Sequence, residues 1–312
     1  MTALADGVRG GDARALARAI TLVENETARG RALVGRLYAD SGEAFVLGVT
    51  GPPGAGKSTL VDGFVAHVRR LGLSVGVLAV DPTSPFTGGA ILGDRVRMST
   101  HSHDAGVFVR SMATRGHLGG LSAATSDAAL VLDASGKDLV IIETVGVGQD
   151  EIDIVRTADV SIVVLVPGAG DDVQALKAGI MEIADIFVVN KADREGADQV
   201  VQSVTANLSL QTFAEGEWRP PVVKTEAVNG VGVDRLWQEI ERFRQHETQH
   251  QQQRRKASHE SRLRGILAQC LLERVEERLP SGEFDRLVEA IAARRTDPYS
   301  AAARLMSQAL DV

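Results

Sequence analysis

The sequence predicts an α/β fold: a doubly wound, mainly parallel sheet with helical N- and C-terminal extensions. Three observations predict it. From residue 45 onward short apolar runs recur: "FVLGVT" (45–50), "SVGVLAVD" (74–81), "GVFVRS" (106–111), "DLVIIETV" (138–145), "SIVVLVPG" (161–168), "IFVVNKAD" (186–193) and "PVVKTEA" (221–227). They are apolar on both faces, as strands covered by helices on each side must be. They alternate with amphipathic segments, the pattern of a parallel sheet built from βα units. The first run is followed by "GPPGAGKST" (51–59) and then by the amphipathic "STLVDGFVAHVRRL", the strand–loop–helix setting of a phosphate-binding loop.

The elements outside the sheet follow from periodicity. In residues 1–40, Leu4, Val8, Leu16, Ile20, Val23, Leu33, Val34 and Leu37 recur at spacings near three and four with charges between them, which predicts a helical extension. The sheet pattern stops near residue 245, so the domain with the phosphate loop is expected over 41–245. The polar, glutamine-rich "RQHETQHQQQRRKASHESR" is either a linker or an exposed helix. Helices are predicted over 259–279 and 283–295, and a last one opens with Asp297-Pro298, an N-cap followed by a first-turn proline. Residues 246–312 thus form a C-terminal helical segment.

Composition sets limits. With 44% apolar and 24% charged residues in 312, the chain has material for a large core, filled by Val, Leu, Ile and Ala because aromatics are only 4%. A net charge of -7 argues against broad electrostatic binding to nucleic acid or an anionic membrane. The basic run Arg254-Arg255-Lys256 reads as a solvated helix face. The single cysteine, Cys270, excludes an internal disulfide and multi-cysteine metal sites, and its stripe "RGILAQCLLERV" suggests a packed thiol. There is no apolar run of membrane-spanning length and no N-terminal h-region, so a cytoplasmic protein is expected.

Several segments carry chemistry. In the phosphate loop of Gly51, Pro52, Pro53, Gly54, Ala55 and Gly56 the glycines let backbone N–H groups turn toward phosphate oxygens, and the helix opening at Lys57, Ser58 and Thr59 adds its dipole. Lys57 should reach the β- and γ-phosphates and Ser58 should bind magnesium. "NKAD" (190–193) ends a strand and matches a guanine-reading signature. Asp193 can accept from guanine N1–H and the exocyclic amine, Asn190 braces the loop, and the Lys191 stem can lie over the base. "KTEAVNGVG" (224–232) sits where a second base-contacting loop belongs, giving Glu226, Ala227 and Val228 as candidates. Glu226 stands where a Ser is usual, which leaves the bracing of the Asp193 loop open. Glu143 ends its strand beside the expected magnesium and can hold the metal's water shell. Gly146 is followed by Val147, and Gln149 lies three residues beyond Gly146, so no residue that orients an attacking water is evident. Together these segments predict a GTPase, acting on GTP to give GDP and phosphate, with slow unaided turnover.

With these motifs in place, the chain resembles the MeaB/ArgK-type P-loop GTPases, chaperones of adenosylcobalamin-dependent methylmalonyl-CoA mutase. The matching blocks are "GVTGPPGAGKSTL", "VLAVDPTSPFTGGAILGDRVRM", "VFVRSMATRGHLGGL", "IIETVGVGQDE" and "VVLVPGAGDDVQALKAGIMEIADIFVVNKAD", and the likeness spans almost the whole chain. The resemblance implies that Asp81 and Asp94 are the two acids of a first switch, linked to magnesium and to nucleotide state. It implies an additional switch at "PGAGDDVQALKAG" (167–179), where Asp171 either pairs with Lys177 or caps a helix. It implies methylmalonyl-CoA mutase or a related adenosylcobalamin-dependent acyl-CoA mutase as partner, with nucleotide state gating cofactor loading and protecting or reactivating the mutase. It also implies a homodimer formed through the C-terminal helices. Arg110, Arg115 and His117 lie in "RSMATRGHLGG"; an arginine there either stabilises transferring charge or binds loop carbonyls. "HSHD" (101–104) is a weak metal pattern. Two other functions stay open: a metallochaperone GTPase for metalloenzyme maturation, and a transport-linked ATPase or kinase for amino-acid uptake.

Overall fold

A computed structural model describes residues 1–82, 99–101, 103–114, 120–144, 157–168, 183–247 and 251–310. The chain divides into two compact units, Met1–Ser258 and His259–Val312.

In the first unit all seven apolar runs become strands: β1 (Phe45–Thr50), β2 (Val75–Pro82), β3 (Val107–Thr114), β4 (Leu139–Thr144), β5 (Val160–Leu165), β6 (Ile186–Asn190) and β7 (Val222–Thr225). They form one sheet in the order β3-β2-β4-β1-β5-β6-β7, and every pairing is parallel. Alternation within each strand feeds both faces. Leu139 and Ile141 of β4 enter one cluster with Leu47, Val49 and Ile162, while Val140 and Ile142 enter another with Leu78 and Val80. Burying each such side chain contributes about 1.5–3 kcal/mol, so a strand that is buried on both faces is held firmly in register.

Helices cover these faces. The first face carries α4 (Lys57–Arg70), through Val61, Phe64 and Val65, and α7 (Val233–Glu247), through Leu236, Ile240 and Phe243. On the other, α5 (Gly120–Asp133) packs with the N-terminal helices α1 (Thr2–Arg9), α2 (Ala13–Glu24) and α3 (Ala28–Leu37). Helix α6 (Ala197–Ser209) covers β6 and β5 through Val200 and Val204. The N-terminal periodicity is realised: Val8, Leu16, Ile20, Val23, Leu33 and Leu37 are buried, and Leu4 and Val34 pack against them. Capping sets these helix starts, since Asp12 accepts from Ala15 N–H at 2.6 Å and Thr27 from Gly30 N–H at 2.9 Å. The entry to β1 is fixed by Asp133, whose carboxylate accepts backbone N–H bonds from Gly42, Glu43 and Ala44 at 2.6–3.2 Å.

The described residues of the glutamine-rich stretch are helical, at the end of α7 and in α8, which runs from Gln251 to Arg278. The basic run within it is not simply solvated. Arg255 donates to Asp159 at 3.3 Å and to the Gly42 carbonyl at 2.9 Å, while Asp159 also accepts from Val46 N–H. A charge pattern alone shows no partner lying so far away in sequence.

In the second unit, α9 (Glu283–Ala292) and α10 (Pro298–Leu310) follow α8. Asp297 caps α10, accepting N–H bonds from Tyr299 and Ser300 at 2.9 Å, with Pro298 in the first turn. The packed thiol expected at Cys270 is not found: Cys270 is exposed, as are Leu263, Ile266, Leu267, Leu271 and Leu272 around it. Periodicity identifies an apolar stripe but not what covers it. Among the described residues, no helix is long and apolar enough to cross a membrane.

Two carboxylates at the lower edge of the sheet carry a pH expectation. The Arg69 guanidinium, and then Gly106 N–H, hold the Asp104 carboxyl below its ordinary range. Bonds from the Ser74 backbone and hydroxyl do the same for Asp138. A carboxyl depressed in the folded state stabilises fully above its unfolded value of about 3.9 and loses that contribution as pH falls through the folded value. Unfolding free energy, measured in urea, is therefore expected to fall as pH drops below about 4, and Asp138→Asn to flatten part of that slope.

Candidate functional site

The site forms where β1 ends, between β4 and β5, at the carboxyl edge of the sheet where ligands of open α/β folds bind. The loop 51–56 depends on two glycines. Gly51 has φ +140°, and a Cβ there would stand 2.1 Å from the Val164 carbonyl oxygen. Gly56 has φ +84°, and a Cβ would stand 2.5 Å from Asn190 Nδ2. The loop can therefore seat against β5 and β6 only without side chains at these positions. Helix α4 opens directly behind it, with its first N–H groups at the loop.

Lys57 and Ser58 are buried in this first turn. Lys57 Nζ donates to the carbonyls of Gly51 at 2.7 Å and Pro52 at 3.0 Å, which folds the ammonium over the loop. Ser58 Oγ donates to Glu143 Oε1 at 2.6 Å, joining α4 to the end of β4. Glu143 is itself buried, and next to it Thr144 Oγ1 donates to Thr50 Oγ1 at 3.0 Å. A hydroxyl and a carboxylate held together beside a phosphate loop are hard oxygen donors, which suit magnesium with its retained waters.

The base end is equally organised. Asn190 is 1% exposed and bonds in three directions. Its Nδ2 donates to the Ala55 carbonyl at 2.9 Å, while its Oδ1 accepts from Thr225 Oγ1 and Ala227 N–H, each at 3.1 Å. Ala192 N–H donates to the Thr225 carbonyl at 3.0 Å. One side chain thereby joins the phosphate loop, the 191–193 turn and the 225–227 segment. Lys191, at φ +57°, reaches back so that Nζ donates to the Gly54 carbonyl at 2.8 Å. Asp193 is exposed at the end of the turn.

The bracing left open by Glu226 is supplied by Thr225, one residue earlier. Glu226 instead closes its own turn through backbone bonds with Val231 and a 3.1 Å bond from Asn229 to its carboxylate. Thr225 is the residue that the sequence reading missed. A Thr at the end of an apolar run looks like any strand residue, and only its contact with Asn190 distinguishes it. Val228 is 86% exposed.

The remaining candidates divide. Asp81 lies in β2, its backbone opposite Ala113 of β3. Asp94, Arg115, His117, Gly146, Val147, Gln149, Asp171 and Lys177 lie outside the described residues. Arg110 is in the edge strand β3 and turns toward α2, where it donates to Glu24 at 3.0 Å and Thr21 at 3.1 Å. These bonds pin α2 to the edge of the sheet. Of the "HSHD" residues, His101 contacts Asp62 and Asp104 pairs with Arg69. Among the described residues no cluster of three or more metal-binding side chains occurs.

Fold and site together define a P-loop GTPase. Residues 16–279 match the family described as "Methylmalonyl Co-A mutase-associated GTPase MeaB", and the chain belongs to that family. It is 49% identical over 309 residues to a putative GTPase of Pyrococcus abyssi, covering 98% of this chain and 95% of the relative. It is 36% identical over 254 residues to the mouse "Methylmalonic aciduria type A homolog, mitochondrial", covering 76% of this chain and 61% of that protein. A crystal structure described as "LAO/AO transport system kinase" superposes with a TM-score of 0.72 at 28% identity, covering 98% of this chain and 96% of the other.

Proposed function

We propose that this GTPase binds GTP and GDP between the phosphate loop and the Asn190-centred base loop, and couples hydrolysis to maintenance of an adenosylcobalamin-dependent acyl-CoA mutase. The observation that carries nucleotide binding is the Asn190 junction, one buried side chain bonded both to the phosphate loop and to the 225–227 segment of the base loop. Preorganisation of this kind lowers the cost of binding.

The steps divide among the chain's own groups. The backbone N–H groups of the loop and Lys57 orient the phosphates and meet the charge that develops on the γ-phosphoryl oxygens. Asp193 selects guanine, the Lys191 stem covers the base, and Ala227 and Val228 line its edge. Ser58 and Glu143, with Asp81 and Asp94 from the first switch, would hold magnesium, which supplies charge neutralisation at the β- and γ-phosphates.

The mutase role is supported by the family to which the chain belongs and by the mouse relative. Methylmalonyl-CoA mutase is the first candidate partner. In this reading nucleotide state gates cobalamin loading and protects the mutase, 41–245 acts as the GTPase domain, and the helices of 246–312 join two copies. The exposed Leu263, Ile266, Leu267, Leu271 and Leu272 support that last assignment, because apolar side chains concentrated on one helix favour burial against a partner.

Steady-state GTP hydrolysis with and without purified methylmalonyl-CoA mutase tests the reading. Turnover is expected to be slow alone and to rise at least tenfold, about 1.4 kcal/mol in barrier, when the mutase completes the site. No response to the mutase rejects the partner. A preference for ATP over GTP would instead favour the transport-linked kinase alternative.

A further inference from the structure

Helix α4 carries a second set of contacts, one turn beyond the phosphate site, that the nucleotide-binding residues do not use. Asp62 stands four residues after Ser58, on the same side of the helix and about 6 Å further along its axis. Its Oδ1 accepts from Thr100 Oγ1 at 2.8 Å, and His101 Nε2 lies 3.1 Å from the same oxygen and 3.2 Å from the Asp62 carbonyl. Both partners belong to the short 3-10 turn Ser99–His101. Two turns further along α4, Arg69 grips Asp104 through two bonds of 2.8 and 2.9 Å, and Asp104 in turn accepts from Gly106 N–H. The return path into β3 is thus fastened to the phosphate-loop helix at two points, Asp62 and Arg69.

The upper fastening carries a further role. Thr100 lies six residues after Asp94, a span of at most about 20 Å of chain, so where Thr100 is held limits where the preceding residues can reach. The effect is positional: the clip registers the turn Ser99–His101 against the helix whose first turn bears Lys57 and Ser58. We propose that Asp62 is a positioning residue for GTP hydrolysis, acting through Thr100 and His101 and not through contact with nucleotide. This deepens the GTPase reading and rests on it. In the proposed reading GDP is held by the loop, Lys57 and the Asn190 junction, whereas the Asp62 clip is made through Thr100 and His101, so hydrolysis and GDP affinity should respond differently.

The test is single-turnover and steady-state GTP hydrolysis, GDP affinity and thermal unfolding for Asp62→Ala, Thr100→Val, their combination, and the conservative Asp62→Asn and Thr100→Ser. Loss of one bond to a charged group predicts a five- to tenfold fall in kcat, on the order of one hydrogen bond, for Asp62→Ala and Thr100→Val. GDP Kd and unfolding midpoint should stay within about twofold and about 2 °C of the parent. The combined variant should be no slower than Asp62→Ala, as two ends of one interaction require. Asp62→Asn and Thr100→Ser, which keep an acceptor and a hydroxyl, should recover most of kcat. Unchanged kcat in either truncated variant, additive losses, no recovery in the conservative variants, or parallel loss of GDP affinity and stability each overturn the assignment. A parent protein that fails to hydrolyse GTP at all rejects the underlying reading instead.

Discussion

Replacing Asp193 with Asn is expected to turn base preference from guanine to xanthine. A carboxylate offers only acceptors, and guanine presents two donors on the edge that would face it, N1–H and the 2-amino group. Xanthine keeps N1–H but has a carbonyl at position 2. An Asn side chain, with one acceptor and one donor group, matches that pair and leaves guanine's amine facing an N–H. Sites that read a substrate through buried hydrogen bonds discriminate by about 10⁴–10⁵, and an exposed position such as Asp193 should give less, about 10²–10³. The fold should tolerate the change, because the turn is held by Asn190 and by Ala192 N–H on Thr225. Competition of GDP and XDP against a fluorescent guanine nucleotide measures the outcome. An Asn variant that keeps GDP within about fivefold of the parent would show that Asp193 does not read the base.

The sheet was legible because its signal is redundant. Seven runs that must be apolar on both faces can hardly be confused with loops, and each became a strand. The phosphate loop was legible because its glycines and Lys57 stand at fixed spacing, and the structure shows why: a Cβ at Gly51 or Gly56 would strike Val164 or Asn190. What escaped depends on groups far apart in sequence. Thr225 braces Asn190 across 35 positions, and Arg255 reaches Gly42 across 213. No local pattern marks either residue. Arg110 was read with two possible roles, and the contact it makes, Glu24 on α2, belongs to an extension whose packing partner periodicity cannot name. Cys270 failed for the same reason in reverse: an apolar stripe was evident, but its exposure was not.

Glu143→Gln is expected to separate stability from hydrolysis. Glu143 is 5% exposed, and keeping a carboxylate charged in such a place is costly. Gln preserves the length and an oxygen to accept from Ser58 Oγ, now 2.6 Å from Oε1, but removes the charge. If Glu143 served only to fasten α4 to β4, Gln would do nearly as well and turnover would hold. If its charge is kept for the magnesium and nucleotide site, turnover should fall about 10²–10³-fold, in the range seen when one electrostatic group of a preorganised site is lost. Without nucleotide the unfolding midpoint should stay level or rise, since a desolvated charge has been removed. GTP turnover titrated against magnesium, beside thermal unfolding of the nucleotide-free protein, reads both quantities at once. A shift of the magnesium half-point to higher concentration places the loss at the metal. Lower stability together with lower turnover would mark Glu143 as a structural fastening, and unchanged turnover would remove it from the site. Opposite movement of the two is the signature of a buried acid whose charge is retained for chemistry, because a side chain that serves the fold alone has no reason to keep a charge that the fold must shelter from water.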